Sequence, residues 1–149
     1  MPKFETVRRV PVSADAMYDI VADVERYPEF LPMCEALTII QRSNNGAQDV
    51  IQADMTVAYL KLKEQFRSDV LLDKQAKTIE TQSIQGPFKH LENHWHFKPL
   101  SQSSCDVAFK IDYAFKSWPL EKLMGGMFEK AFATYAASFE ERAIALQKK

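Results

Sequence analysis

The sequence predicts an α+β domain in which a curved antiparallel sheet of about six to seven strands wraps around one long C-terminal helix. Three observations predict it. Between Cys34 and Lys116 the apolar residues recur at every second position, the period of half-buried strands. From Leu120 onward they recur at three and four, the period of an amphipathic helix. No repeat, linker or low-complexity tract divides the 149 residues, so residues 1–149 form a single domain of ordinary size.

The elements are taken in chain order. A strand comes first, then Ser13 caps a helix running to about Asp23, with Ala16, Met17, Ile20, Val21 and Val24 as its apolar stripe. In RYPEFLPMC, Pro28 and Pro32 limit the passage to short turns or a brief second helix. CEALTIIQ is a strand, and the Asn-Gly dipeptide of QRSNNGAQD folds it into a hairpin. VIQADMTVAYL then places Ile51, Ala53, Met55, Val57 and Tyr59 on one face. LKEQFRSDVLL does the same for Leu62, Glu64, Phe66, Ser68, Val70 and Leu72. KTIETQSIQ is a weaker strand that ends at Gly86-Pro87. In HLENHWHFK the residues Leu91, Asn93, Trp95 and Phe97 share the inner face, which leaves His90, Glu92, His94 and His96 outside in water. SCDVAFKIDYAFK alternates cleanly, with Cys105, Val107, Phe109, Ile111, Tyr113 and Phe115 inside and Asp106, Lys110, Asp112 and Lys116 outside.

The last helix has Ser117 as its cap and Pro119 in its first turn. Its apolar stripe is Leu120, Leu123, Met124, Met127, Phe128, Ala131, Phe132, Tyr135 and Phe139; Glu121, Lys122, Glu129, Lys130, Glu141 and Arg142 oppose it. Some 28 residues reach about 42 Å, against a radius of gyration of about 15 Å for a chain of this size. The helix must therefore run along most of the domain and close one side of the sheet. Gly125-Gly126 falls inside it, where each glycine costs about 1 kcal/mol relative to alanine. Either the helix breaks or starts later there, or the pair marks a thin spot where a strand or ligand approaches the backbone; the break is the plainer reading.

Composition excludes several functions. Nineteen basic against twenty acidic residues give a net charge of −1, without the basic excess of a duplex nucleic-acid binder, so DNA is not an expected partner. Two cysteines outside any CxxC spacing suit a reducing compartment. No apolar leader core and no run of about 18 apolar residues occurs. A cytoplasmic protein is expected, with any membrane contact peripheral, at the inner face. Same-face strand neighbours stand about 6.5–7 Å apart, so two of the three histidines can reach one metal ion, but nothing nearby completes its shell. No metal site is therefore expected. Neither GxSxG nor HExxH is present, and Cys34 has no base close in sequence. Glu64 is the exception among the carboxylates, because it falls on an inner face. No catalytic residue is assigned, and the expected class is a binding protein rather than an enzyme. What abounds is inward-facing aromatic and methionine surface, suited to an irregular apolar ligand.

Three passages together resemble the coenzyme Q-binding START-domain proteins. YPEFLPMC (Tyr27 to Cys34) is similar to their YPxFLPWC motif, GPFKHLENHWHF (Gly86 to Phe97) to their GPFKxLxxxWxF signature, and SWPLEKLMGGMF to the start of their final helix. The resemblance implies a helix-grip fold, the START or Bet v 1-like fold of the polyketide cyclase/dehydrase superfamily, with an apolar tunnel between sheet and helix. It implies ubiquinone or a similar polyprenyl lipid as bound ligand rather than catalytic cofactor, and a lipid-chaperone role in respiratory electron transport, in contact with the inner membrane or respiratory complexes. The same fold includes a ribosome-association toxin, so a ribosomal subunit is the alternative partner; a cyclase- or aromatase-like enzyme, using Glu64 or another inner polar group poised in the tunnel, is a third reading. The expected tunnel lining takes Val21 and Val24 from the first helix, and Phe30, Leu31 and Met33 from the YPEFLPMC passage. The strands give Met55, Val57, Phe66, Trp95, Phe97, Phe109 and Ile111, and the last helix gives Met124, Met127, Phe128 and Phe132. Met33 stands where the motif carries tryptophan and removes a ring that would stack on a quinone. Lys89, in the GPFK turn, is the polar residue expected at the tunnel mouth, facing a quinone oxygen, a lipid phosphate or a partner.

Overall fold

The computed structural model describes residues 3–46, 48–59 and 62–147, with the Tyr59 side chain and Leu60 of the third predicted strand outside the description. Strand β1 (Lys3–Val10) leads into α1 (Ala14–Ala22) and a short 3-10 helix (Val24–Glu29). Six strands follow, β2 (Cys34–Asn44), β3 (Asp49–Tyr59), β4 (Leu62–Asp73), β5 (Thr78–Gln85), β6 (Phe88–Ser101) and β7 (Ser104–Phe115), and then α2 (Trp118–Gln147). The predicted α+β class and its order of elements are thus observed.

Local chemistry sets the turns. The Ser13 hydroxyl accepts the Ala16 N–H at 3.1 Å and caps α1. Pro28 lies inside the 3-10 helix, consistent with the brief second helix the two prolines allow. The β2–β3 hairpin turns at Asn45-Gly46, with Gly46 at φ +100°. There the Asn45 carboxamide accepts from the Gln48 N–H at 2.9 Å.

The seven strands form one antiparallel sheet in the order β1-β7-β6-β5-β4-β3-β2. Six consecutive strands make a meander, and β1 returns to pair with β7, with Val10 opposite Cys105 and Phe4 opposite Ile111. Of the residues that alternation places inside, Met55, Leu62, Glu64 and Asn93 are half-buried, while Ile51, Val57, Phe66, Trp95, Phe97, Phe109 and Ile111 are buried. They meet Met124, Met127, Phe128, Phe132, Tyr135 and Phe139 of α2, which lies across the concave face. Two ion pairs fasten the C-terminal half of that helix: Arg8 of β1 to Glu140 at 2.9 Å, and Arg142 to Glu29 at 2.7 Å, with Arg142 also over the Phe30 ring.

Two expectations about α2 are corrected. The helix does not break at Gly125-Gly126 but runs unbroken for 30 residues. Tertiary packing overrides the local propensity there, since the residues on either side, Met124, Met127 and Phe128, are buried. Leu123 is not part of the buried stripe and is 60% exposed. At 3.6 residues per turn it sits about 140° around the axis from Phe128, too far to reach the sheet.

Candidate functional site

Between the concave sheet and α2 lies a small, partly open cavity of about 80 Å³. Its walls come from strand positions of one parity and from one stripe of α2. Leu91, Asn93 and Trp95 project from β6, Phe109 and Ile111 from β7, Met55 from β3, Phe66 from β4 and Thr81 from β5. Phe132, Tyr135 and Phe139 close it from α2, and Tyr27 and Leu31 from the segment before β2. Trp95 is held by rings on three sides: Phe109 at 4.6 Å, Phe139 at 5.1 Å and Phe97 stacked at 5.9 Å between centroids.

The polar side chains in this lining are Tyr27, Thr81, Asn93, Tyr135 and the indole of Trp95. Tyr27 donates its hydroxyl to the Val21 carbonyl, and Asn93 donates to the Lys110 carbonyl at 3.0 Å. Burial holds both the Tyr27 and Tyr135 phenols far above their ordinary range, so each stays neutral. Glu64 does not line the cavity and is half-buried at the start of β4. Ser68, two residues past Phe66, is 5% exposed, and its hydroxyl is without a hydrogen-bond partner among the described residues.

Of the sixteen residues expected to line a tunnel, Leu31, Met55, Phe66, Trp95, Phe109, Ile111 and Phe132 border the cavity. Val21, Val24, Val57, Phe97, Met124, Met127 and Phe128 are buried in the surrounding core, and Phe30 and Met33 are half-buried against it. Met33 has φ +66°, and its carbonyl accepts the Ala58 N–H at 2.9 Å, which ties the YPEFLPMC turn to β3. Lys89 is exposed at the start of β6 and borders neither this cavity nor the groove between α2 and the β1–β7 edge. Tyr27, Thr81, Leu91, Asn93, Tyr135 and Phe139 complete the lining. Alternation already placed Leu91 and Asn93 inward, and the helical stripe held Tyr135 and Phe139; Tyr27 sits in the quoted motif.

The histidines face outward as alternation requires. His90 Nε2 lies 3.1 Å from Asp112 Oδ1, and His94 Nδ1 lies 3.3 Å from Glu80. The His90 hydrogen bond, aided by the nearby charge of Lys3, holds the Asp112 carboxyl below its ordinary range. Among the described residues no three His, Cys, Asp or Glu side chains are grouped to hold a metal ion.

Neither cysteine is poised as a nucleophile. Burial pushes the Cys34 thiol up to about 12 and, with the Asp106 charge adding to it, the Cys105 thiol up to about 11. At pH 8 an aromatic disulfide reagent should therefore modify neither thiol in the folded protein and both after unfolding. Rapid reaction of either one in the native state would contradict this.

The comparisons with known proteins bear on the same region. Residues 10–140 match the family described as polyketide cyclase / dehydrase and lipid transport. The chain belongs to this family. Among its relatives is the ribosome association toxin RatA of Escherichia coli K12, 32% identical over 146 residues that span 96% of this chain and 87% of that one. The coenzyme Q-binding protein COQ10, mitochondrial, of Dictyostelium discoideum is 30% identical over 140 residues, covering 93% of this chain and 67% of that one. A START superfamily protein from Mycobacterium smegmatis shares the fold with a TM-score of 0.77 at 24% identity, over 97% of this chain and 98% of that one. The helix-grip, START-like fold is thus established. No helix among the described residues is long and apolar enough to cross a membrane.

Proposed function

We propose that this family member is a non-catalytic carrier of ubiquinone or a similar polyprenyl lipid, working on the cytoplasmic side of the inner membrane in support of respiratory electron transfer. One observation carries the reading. The cavity is walled by rings and aliphatic chains, and its polar side chains are neutral rather than ionised: Tyr135, Thr81, Asn93 and the Trp95 indole, with Tyr27, whose hydroxyl is committed to the Val21 carbonyl. Neutral donors suit the carbonyl oxygens of a quinone, while an acid–base reaction needs a titrating group poised near the working pH. Each methylene of a lipid tail withdrawn from water is worth about 0.8 kcal/mol, so an apolar sleeve is a sufficient driving force for a carrier. The likeness to COQ10 supports the quinone assignment.

A second reading, binding to a ribosomal subunit, is favoured by the likeness to RatA over 96% of this chain. It would use the outer surface, where basic residues stand opposite carboxylates, as in Arg67 with Asp54 at 2.7 Å and Arg9 with Asp106 at 3.2 Å. Such pairing leaves a weak field for a polyanion.

The test uses fluorescence. Trp118 is 69% exposed and Trp95 only 4%, so Trp118→Phe leaves the cavity tryptophan as sole reporter. A decyl-tailed benzoquinone is expected to quench Trp95 saturably at micromolar concentration. Absence of saturable quenching, together with cosedimentation of the protein with ribosomal subunits, would replace the first reading with the second.

A further inference from the structure

We propose that the groove beside Gly125-Gly126 is the mouth by which an apolar tail enters, and that Phe132 is the partition between this mouth and the interior. This inference rests on the lipid-carrier reading. The cavity between sheet and helix, at about 80 Å³, is far below the roughly 300–1,000 Å³ of ligand sites and cannot contain a tailed molecule. A groove of about 550 Å³ lies directly beside it, between α2 and the β1–β7 edge. Its apolar floor is Phe4, Tyr113 and Phe115, and its rim is Lys3, Glu121 and Glu129. Phe132 borders both spaces. Its ring lies 5.0 Å from Tyr113 on the groove side and 5.7 Å from Tyr135 on the cavity side. A change of rotamer at this one side chain would join the two volumes.

The glycine pair fits a mouth and is not explained by packing. A Cβ on Gly126 would meet nothing within 4 Å, and one on Gly125 only Glu121 Cγ at 3.9 Å. Neither glycine has a positive φ. Two glycines nevertheless weaken the helix at this point, and they leave the groove wall without side chains. The ion pairs at Glu140 and Arg142 fix the far half of α2, so bending at Gly125-Gly126 would move the near half away from β1 while the C-terminal half stays seated.

The test reads access to Trp95 in the Trp118→Phe protein with two probes, acrylamide and the decyl-tailed benzoquinone. Phe132→Ala is expected to raise the acrylamide quenching constant of Trp95 at least threefold; Phe132→Leu, the milder variant should the first fold poorly, should raise it by less. Gly125→Leu, which fills the groove, should lower acrylamide quenching. It should also slow association and dissociation of the quinone alike, by about tenfold, with the Kd changed less than threefold. Acrylamide access unaltered in folded Phe132 variants, or quinone rates unaltered in Gly125→Leu, overturns the proposal while the carrier reading stands. If the acrylamide shifts appear but the quinone quenches no variant, Phe132 is a gate for small molecules only, and the tail entrance falls together with the carrier reading.

Discussion

Gly86→Ala is expected to destabilise the protein by about 3–5 kcal/mol, the sum of left-handed backbone strain and overpacking. At roughly 2–4 °C per kcal/mol for a domain of this length, the Tm should fall by about 10–15 °C. Gly86 has φ +143°, and a Cβ there would stand 2.5 Å from Phe66 Cβ and 3.0 Å from Phe66 Cα. Those atoms belong to the backbone and its first carbon, so no rotamer change relieves the clash. The neighbourhood magnifies the cost. The next carbonyl, Pro87 O, accepts the Lys116 N–H at 2.9 Å, which ties the turn to the link between β7 and α2. The following side chain, Phe88, packs against Phe66, Phe115 and Phe128 at 5.5, 5.1 and 4.9 Å. Gly126→Ala is the control within the same chain: with open space around it, that change should stabilise the helix by about 1 kcal/mol. Thermal unfolding by circular dichroism decides both, and a Gly86→Ala Tm within a few degrees of the parent would refute the close-approach explanation.

These two glycines also show what the sequence discloses and what it withholds. The GPFK passage was legible as a special turn, but its tight partner, Phe66, lies twenty residues back on β4 and becomes a neighbour only through the β4–β5 register. The Gly125-Gly126 pair reads locally as a break, and only the sheet beneath explains why the helix continues. Strand faces were readable throughout, because a period of two assigns each side chain to one side whatever the tertiary structure. The histidine row and the inward Leu91, Asn93, Trp95 and Phe97 follow from that rule alone. The cavity was less legible. Alternation tells which residues point inward but not where along the strand the crossing helix leaves space. Phe97, on the same face as Trp95, packs at the α1 end against Tyr18 at 6.0 Å, while Trp95 borders the cavity. Leu123 fails for the related reason that a helical stripe has a centre and a margin, and the margin is set by the width of the sheet it covers.

Trp95→Ala is the second large effect and the one that bears on function. Truncating a buried tryptophan costs about 3–5 kcal/mol in lost transfer energy and residual cavity, and Trp95 is 4% exposed within a cage of three rings. Phe97→Ala, at a side chain with no exposed surface, should cost a similar amount, about 3–5 kcal/mol. The two variants part company when a ligand is added. Truncation at 95 enlarges the space in which the proposed lipid sits, while truncation at 97 leaves a void outside that lining. A decyl-tailed benzoquinone at a hundredfold excess over its Kd adds about 2.7 kcal/mol to a protein that binds it only when folded. The Trp95→Ala protein should therefore recover about 5–10 °C of its lost Tm on adding the quinone, at the slope expected for this length. Equal recovery is not required of the Phe97→Ala protein if its distorted wall weakens binding, but a greater recovery there than in Trp95→Ala would place the ligand elsewhere. If the parent and both variants show the same Tm with and without quinone, Trp95 is a core residue and nothing more, and the apolar interior of this chain serves to hold the fold together rather than to carry a lipid.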